Sequence, residues 1–182
     1  MNTKLRKELE KQDPEELIRL ISEMSTRFPI AKMYLTMEFG FESAGIIEKY
    51  QKAIRKEYFP SRGTGKARSS RVNKMLKEFF QIAAFQEERI EMRLFALENM
   101  VEYYRIYLTD SEPFLKNLFK TWASYLQETR AEGLLELQRP RIDKMLTDKF
   151  RRYSVGQKMI EIEEAVLSDT WDEEAVETII EH

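Results

Sequence analysis

Residues 86–108 read QEERIEMRLFALENMVEYYRIYL and form the longest helical pattern in the chain. Apolar residues recur there at alternating steps of four and three, the spacing of one helix face. That face consists of Ile90, Leu94, Leu97, Val101, Tyr104 and Leu108. Five further residues widen it, namely Met92, Phe95, Met100, Tyr103 and Tyr107. Because this helix is apolar on more than one side, we expect it near the centre of the fold.

Shorter helical patterns flank this stretch on both sides. The chain has only 6 Gly and 5 Pro, and each proline lies where a helix is predicted to begin or end. Asp13 before Pro14, with Glu16 two residues further on, is typical of a helix start. By the same reasoning, Ser69 or Ser70 is predicted to cap one helix, and Pro140 is predicted to begin another. Leu17, Ile18, Leu20, Ile21 and Met24 form the apolar face of the helix after Asp13.

The sequence therefore predicts an all-α fold without a sheet. No stretch shows sustained alternation of apolar and polar residues, which a half-buried strand would need. We expect one domain over residues 1–182, an irregular multi-helix bundle or helical array of about seven to nine helices. Residues 168–182 are predicted to form an appended C-terminal helix that Asp172 caps.

Composition excludes several classes of active site. The chain has no cysteine and a single histidine, His182, so it offers no disulfide, thiolate nucleophile, zinc site or Ser-His-Asp triad. We therefore predict no catalytic residue, no metal site and no cofactor. The charged N-terminus lacks the apolar run of a secretory signal, and the apolar runs are too short to span a membrane. The expected location is the cytoplasm.

Charge is unevenly distributed along the chain. Residues 49–77 contain ten basic residues and one carboxylate, Glu57. Residues 154–182 reverse this balance, with nine carboxylates and one basic residue, Lys158. The formal net charge of the chain is −2, so this segregation is invisible in the total.

The basic segment predicts an anion-binding site around its central loop. Two glycines would let backbone amides face an anion, and the helix start after Ser69 would add further amide donors. The predicted site residues are Arg62, Gly63, Gly65, Lys66, Arg68 and Arg71. The opposing interpretation is that these cations form a solvated face or pair with the acidic C-terminal segment.

The string Gly63-Thr64-Gly65-Lys66 does not make a nucleotide-binding P-loop. That motif would need Gly at position 60 and Ser or Thr at position 67, where this chain has Pro60 and Ala67. A strand should also precede the loop, and here a helix is predicted.

Residues 49–69, KYQKAIRKEYFPSRGTGKARS, are similar to the core of one protein family. It is a group of small bacterial proteins catalogued only as a domain of unknown function. The matching positions are Phe59, Pro60, Arg62, Gly63, Gly65, Lys66, Arg68 and Ser69. The resemblance implies a bacterial, cytoplasmic, helical protein, and it implies no activity.

These observations favour a non-enzymatic binding or adaptor protein that presents a basic, glycine-containing loop. Its partner would be phosphate, a nucleic-acid backbone or an acidic protein surface. The alternative is a structural interaction protein whose basic segment pairs with the acidic C-terminal segment, within one chain or in a homodimer.

Overall fold

The computed structural model describes residues 3–40 and 43–171. Within these ranges the chain is helical and contains no strand, so the all-α prediction is confirmed. The helices are α1 (Thr3–Leu9), α2 (Pro14–Arg27), α3 (Pro29–Glu38), α4 (Ser43–Tyr58), α5 (Ser69–Ile82), α6 (Gln86–Tyr107), α7 (Glu112–Ala131), α8 (Leu135–Met145), α9 (Asp148–Arg151) and α10 (Ser154–Leu167). The closing helix predicted after Asp172 lies outside the described residues.

Helix α6 lies at the centre of the fold, as its sequence predicts. It packs against α4, α5 and α7, and its apolar residues are buried on several sides. The predicted face is buried from Ile90 to Tyr104, whereas Tyr107 and Leu108 are exposed where the helix ends. Burial of an apolar side chain of this size stabilises a fold by about 2 kcal/mol, so α6 contributes substantially to the core, as does α7, which also has ten buried residues.

Helices α7 and α10 pack together around Trp122. The indole Nε1 of Trp122 donates a hydrogen bond to the carbonyl oxygen of Met159, at 2.7 Å. Its ring stacks on Tyr125, with centroids 5.7 Å apart. Tyr125 is itself buried, and burial raises the pKa of its hydroxyl to about 12. This cluster joins the C-terminal helix of the described chain to the central part of the core.

Helix α2 is amphipathic in sequence but has no buried residue. The exposed fractions of Ile18, Ile21 and Met24 are 64%, 47% and 45%. This helix contacts α3, and α3 in turn contacts α4 and α5. The apolar face that the residue spacing predicts is therefore present on α2, but it is exposed and is not part of the core.

Several predicted helix boundaries are confirmed and two are wrong. Asp13 caps α2 by accepting a hydrogen bond from the amide of Glu16 at 2.8 Å. Pro140 does not open a helix, because α8 begins at Leu135 and includes it. Helix α5 has Arg68 as its N-cap, and the Ser69 hydroxyl instead donates to the carbonyl oxygen of Pro113 at 3.3 Å.

The ten helices of the described residues exceed the seven to nine predicted. Helix α1 carries no apolar stripe, and its residues Arg6 and Glu8 pair with Glu10 and Lys11, which follow the helix, at 2.7 and 2.6 Å. Helix α9 is four residues long, too short to give a periodic signal.

Candidate anion-binding site

A concave pocket of about 360 Å³ lies between α4, α5 and the loop of residues 59–68 that joins them. We call it the basic pocket. Its charged lining residues are Lys56, Glu57, Arg62, Lys66, Arg68 and Arg71. Five of the six predicted site residues line this pocket, and Gly63 does not. Lys56 joins them from the last turn of α4, because residues 53, 56 and 57 share one face of that helix.

Glu57 is buried at the base of the pocket and holds Arg68. The two side chains form a bidentate pair, with Nε to Oε1 at 2.8 Å and Nη2 to Oε2 at 3.1 Å. Arg71 approaches the same carboxylate less closely, at 3.5 Å from Nη1 to Oε2. The hydrogen bond from Arg68 holds the pKa of Glu57 below its usual value. Glu57 therefore stays charged and keeps Arg68 in place.

The loop backbone also turns toward Glu57. The amides of Lys66 and Ala67 both donate to the carbonyl oxygen of Glu57, at 3.1 and 3.2 Å. The amide of Arg68 donates to Oε1 of the same residue at 3.2 Å. These three amides are therefore satisfied within the chain and are not available to an external anion.

The two glycines of the loop are favoured at their positions for different structural reasons. Gly63 has φ of +73°, a left-handed conformation that side chains disfavour, and a Cβ there would meet no other atom within 4 Å. Gly65 is buried, and a Cβ on it would overlap the carbonyl oxygen of Tyr58 and lie 2.8 Å from that of Glu57. Gly65 is required because α4 and the loop approach so closely.

Helix α6 supports the loop from behind. The hydroxyl of Tyr103 donates a hydrogen bond to the carbonyl oxygen of Gly65 at 3.0 Å. The Tyr103 ring also lies 6.1 Å from the ring of Phe59, centroid to centroid. The Arg55 guanidinium covers the Phe59 ring at 4.0 Å and forms an ion pair with Glu102 of α6. The loop is thus fixed to the central helix of the fold.

The cations of the basic segment fall into two groups. Within the described part of the chain, Arg55, Arg68 and Arg71 pair with carboxylates, as do Lys52 with Glu48 at 2.7 Å and Lys74 with Glu78 at 3.9 Å. No carboxylate of residues 3–40 or 43–171 pairs with the other five, which are Lys49, Lys56, Arg62, Lys66 and Lys77. Of these, Lys56, Arg62 and Lys66 line the basic pocket, and all three are exposed. These three side chains can bind an external anion without breaking an internal pair.

The described part of the acidic C-terminal segment pairs elsewhere. Glu163 forms an ion pair with Arg139 of α8, and Asp169 pairs with Arg130 of α7 at 2.5 Å. In residues 154–171 no carboxylate pairs with the basic segment.

The two residues that organise the pocket, Glu57 and Tyr103, were not predicted as site residues. Glu57 did carry a signal, because a carboxylate in the last turn of a helix opposes the helix dipole and stands alone among ten cations. Tyr103 carried none, since its contact with Gly65 spans 38 residues.

In residues 3–40 and 43–171 no group of three or more acidic, His or Cys side chains could hold a metal ion. Over the same residues, no helix combines the length and the apolar character that crossing a bilayer requires.

A family model described as a family of unknown function, DUF6155, matches residues 1–172. The match includes the whole of the basic pocket. No curated protein and no solved structure matches the chain.

Proposed function

The chain belongs to the DUF6155 family, whose function is unknown, and from this premise we propose that it is a binding protein whose basic pocket takes an anionic ligand. One observation carries the proposal. Lys56, Arg62 and Lys66 line one concave pocket, and no described carboxylate neutralises them. Glu57 is the one carboxylate of the lining and pairs with Arg68 and Arg71, so the pocket keeps an excess of positive charge that attracts an anion, and a concave wall focuses its field.

The roles of the pocket residues follow from their partners. Lys56, Arg62 and Lys66 supply the free charge. Arg71 adds to it, because its distance of 3.5 Å from Glu57 makes a weak pair that an incoming anion can replace. Arg68 mainly positions the loop, because Glu57 occupies its Nε and Nη2.

A paired charge-removal experiment tests this function. In the pocket variant, Arg62→Gln and Lys66→Gln remove two free cations. In the control variant, Lys49→Gln and Lys52→Gln remove the same charge from α4 outside the pocket. We expect the wild type and the control to be retained on heparin at low salt and to bind pyrophosphate in calorimetry. The pocket variant should lose both.

Equal binding by the pocket and control variants would refute an anion site in the basic pocket. If neither variant nor the wild type binds, and the wild type instead forms salt-sensitive dimers in sedimentation, the alternative structural role is supported. In that case the basic segment would pair with the acidic segment of a second copy.

A further inference from the structure

A second cavity of about 430 Å³ lies on the other side of α5, between α5 and α7. We call it the polar groove. Apolar atoms of Leu76 and Phe80 line part of it. Its remaining lining residues are all polar or basic, with no carboxylate among them. A groove with this composition suits a ligand that carries both polar edges and an apolar face.

Neutral hydrogen-bonding side chains dominate the wall of the polar groove. They are Asn73, Gln81, Asn117, Thr121 and Ser124. Asn73 Nδ2 donates to Asn117 Oδ1 at 2.6 Å, which joins α5 to α7 across the groove. Asn117 is only 9% exposed, and its own Nδ2 has no hydrogen-bond partner among the described residues. The side-chain amides of Asn73 and Gln81 are exposed and offer donors and acceptors to a ligand, as the edge of a nucleobase requires.

Two free cations stand at the polar groove. No carboxylate in the described ranges pairs with Lys77 or Lys120. Arg93, the third basic residue of the lining, is held by Glu128 at 2.8 Å, and its guanidinium lies 4.9 Å from the centre of the Phe80 ring. Lys77 and Lys120 therefore offer two positive charges beside a set of neutral hydrogen-bonding groups.

The exposed face of α5 connects the groove to the basic pocket. Arg71 lines the pocket and Lys77 lines the groove. Lys74 lies between them, three residues from each. Six residues of helix span about 9 Å, so the three side chains form a short basic ridge. Two carboxylates approach this ridge, Glu57 at 3.5 Å from Arg71 and Glu78 at 3.9 Å from Lys74, and at these distances each neutralises its partner only in part.

We propose that a single-stranded nucleic acid crosses α5, with phosphates in the basic pocket and on the ridge, and with a base or ribose in the polar groove. This inference rests on the proposed function and specifies its ligand. Basic side chains that track a backbone, beside a groove with an aromatic ring and hydrogen-bonding groups, are the recognised chemistry of single-strand binding. A base that enters the polar groove must leave its stack, and a duplex can supply such a base only by unpairing.

Calorimetry with oligonucleotides tests the inference on the intact chain. The probes are single-stranded oligonucleotides of about twelve nucleotides, the matching duplex, a dinucleotide and polyglutamate. The groove variant carries Lys77→Gln and Lys120→Gln, and it is compared with the pocket and control variants defined above. Thermal unfolding confirms that each variant is folded.

We expect the single strand to bind more tightly than the dinucleotide, the duplex and polyglutamate. At about 50 mM salt the groove variant should bind it about five- to tenfold more weakly than the control variant. The slope of log affinity against log salt should fall by about 0.7, the contribution of one phosphate contact on a single strand, because Lys77 lies on the ridge whereas Lys120 lines the groove proposed for the base or ribose. Asn73→Leu should lower the affinity without changing that slope, because it removes no charge.

The outcomes separate the two proposals. If the pocket variant loses binding and the groove variant equals the control, the path across α5 is refuted and the anion pocket stands. If polyglutamate binds as tightly as the single strand and shows the same loss in the groove variant, the ligand is an acidic protein and the nucleic-acid assignment is wrong. If neither variant differs from the control, both proposals fail.

Discussion

Glu57 accepts five hydrogen bonds from residues 66–68, two at its carbonyl oxygen and three at its carboxylate. A buried carboxylate of this kind is stabilised only while all its partners are present. Its charge also reduces the positive potential of the pocket. We interpret this as a compromise in which one internal anion fixes the loop and leaves Lys56, Arg62 and Lys66 for an external one.

The substitution Glu57→Gln should make stability less dependent on pH. Arg68 holds the folded pKa of Glu57 below its unfolded value, so the pair stabilises the fold above that unfolded value. This contribution is lost as the pH falls through the folded pKa. At pH 7 the variant should be less stable by about 2 kcal/mol, and the difference should shrink in acid.

Urea unfolding at a series of pH values measures this difference. Glu48→Gln is the control, because Glu48 and Lys52 form an exposed pair worth less than about 1 kcal/mol. Identical pH profiles for wild type and Glu57→Gln would contradict the structural role of Glu57.

The loop glycines provide a second comparison of single residues. Gly65→Ala should destabilise the fold by about 3 kcal/mol or more, because backbone oxygens of α4 occupy the space that a Cβ needs. Gly63→Ala should cost only about 1 kcal/mol, the price of a left-handed conformation with open space around it. Thermal unfolding of both variants measures the difference, and equal losses would show that the close approach at Gly65 is absent.

Among the helices, α2 and α6 differ most clearly in how many of their residues are buried. Helix α2 has no buried residue, whereas α6 has ten. Hydrogen exchange should therefore be fast in α2, through local opening, and slow in α6, where it requires global unfolding. Mass spectrometry of peptic fragments measures both rates. Comparable protection of the two helices would mean that a partner or a second copy covers α2 in solution.

The helices themselves could be predicted where local chemistry specifies them. Asp13 and Pro14 define the start of α2 because capping and a fixed φ act within one turn. Pro140 misled the prediction, since a proline in the sixth position of α8 removes one internal hydrogen bond that tertiary packing outweighs. Ser69 does not cap α5, because its hydroxyl donates a hydrogen bond to the carbonyl oxygen of Pro113 on α7. Local sequence does not specify this tertiary contact.

For the molecule as a whole, the sequence predicted the fold class and the location of the basic segment. It did not predict that two cavities flank α5. The groove is built from helices far apart in the chain, and the pocket, although α4 and α5 are consecutive, is supported by α6. The pocket depends on the link between Tyr103 and Gly65, and the groove depends on Asn73 meeting Asn117, 44 residues away. Contacts of this range follow from packing, which residue patterns specify only indirectly.

Ligand binding should stabilise the whole molecule through linkage. Pyrophosphate at ten times its measured dissociation constant should contribute about 1.4 kcal/mol, which raises Tm by about 4 °C for a chain of this size. The Arg62→Gln, Lys66→Gln variant should show no such rise, and the Lys49→Gln, Lys52→Gln control should show all of it. Scanning calorimetry measures the shifts, and an equal rise in all three proteins would place the anion elsewhere.

The setting of Trp122 gives the protein an intrinsic optical reporter. Its indole is sealed between Tyr125 and the Met159 carbonyl, whereas Trp171, the second tryptophan, is only partly buried. The fluorescence of the two rings should therefore differ in emission maximum and in access to iodide. Separation of α7 from α10 would shift the light from Trp122 to the red, so loss of this junction can be followed without attaching a dye.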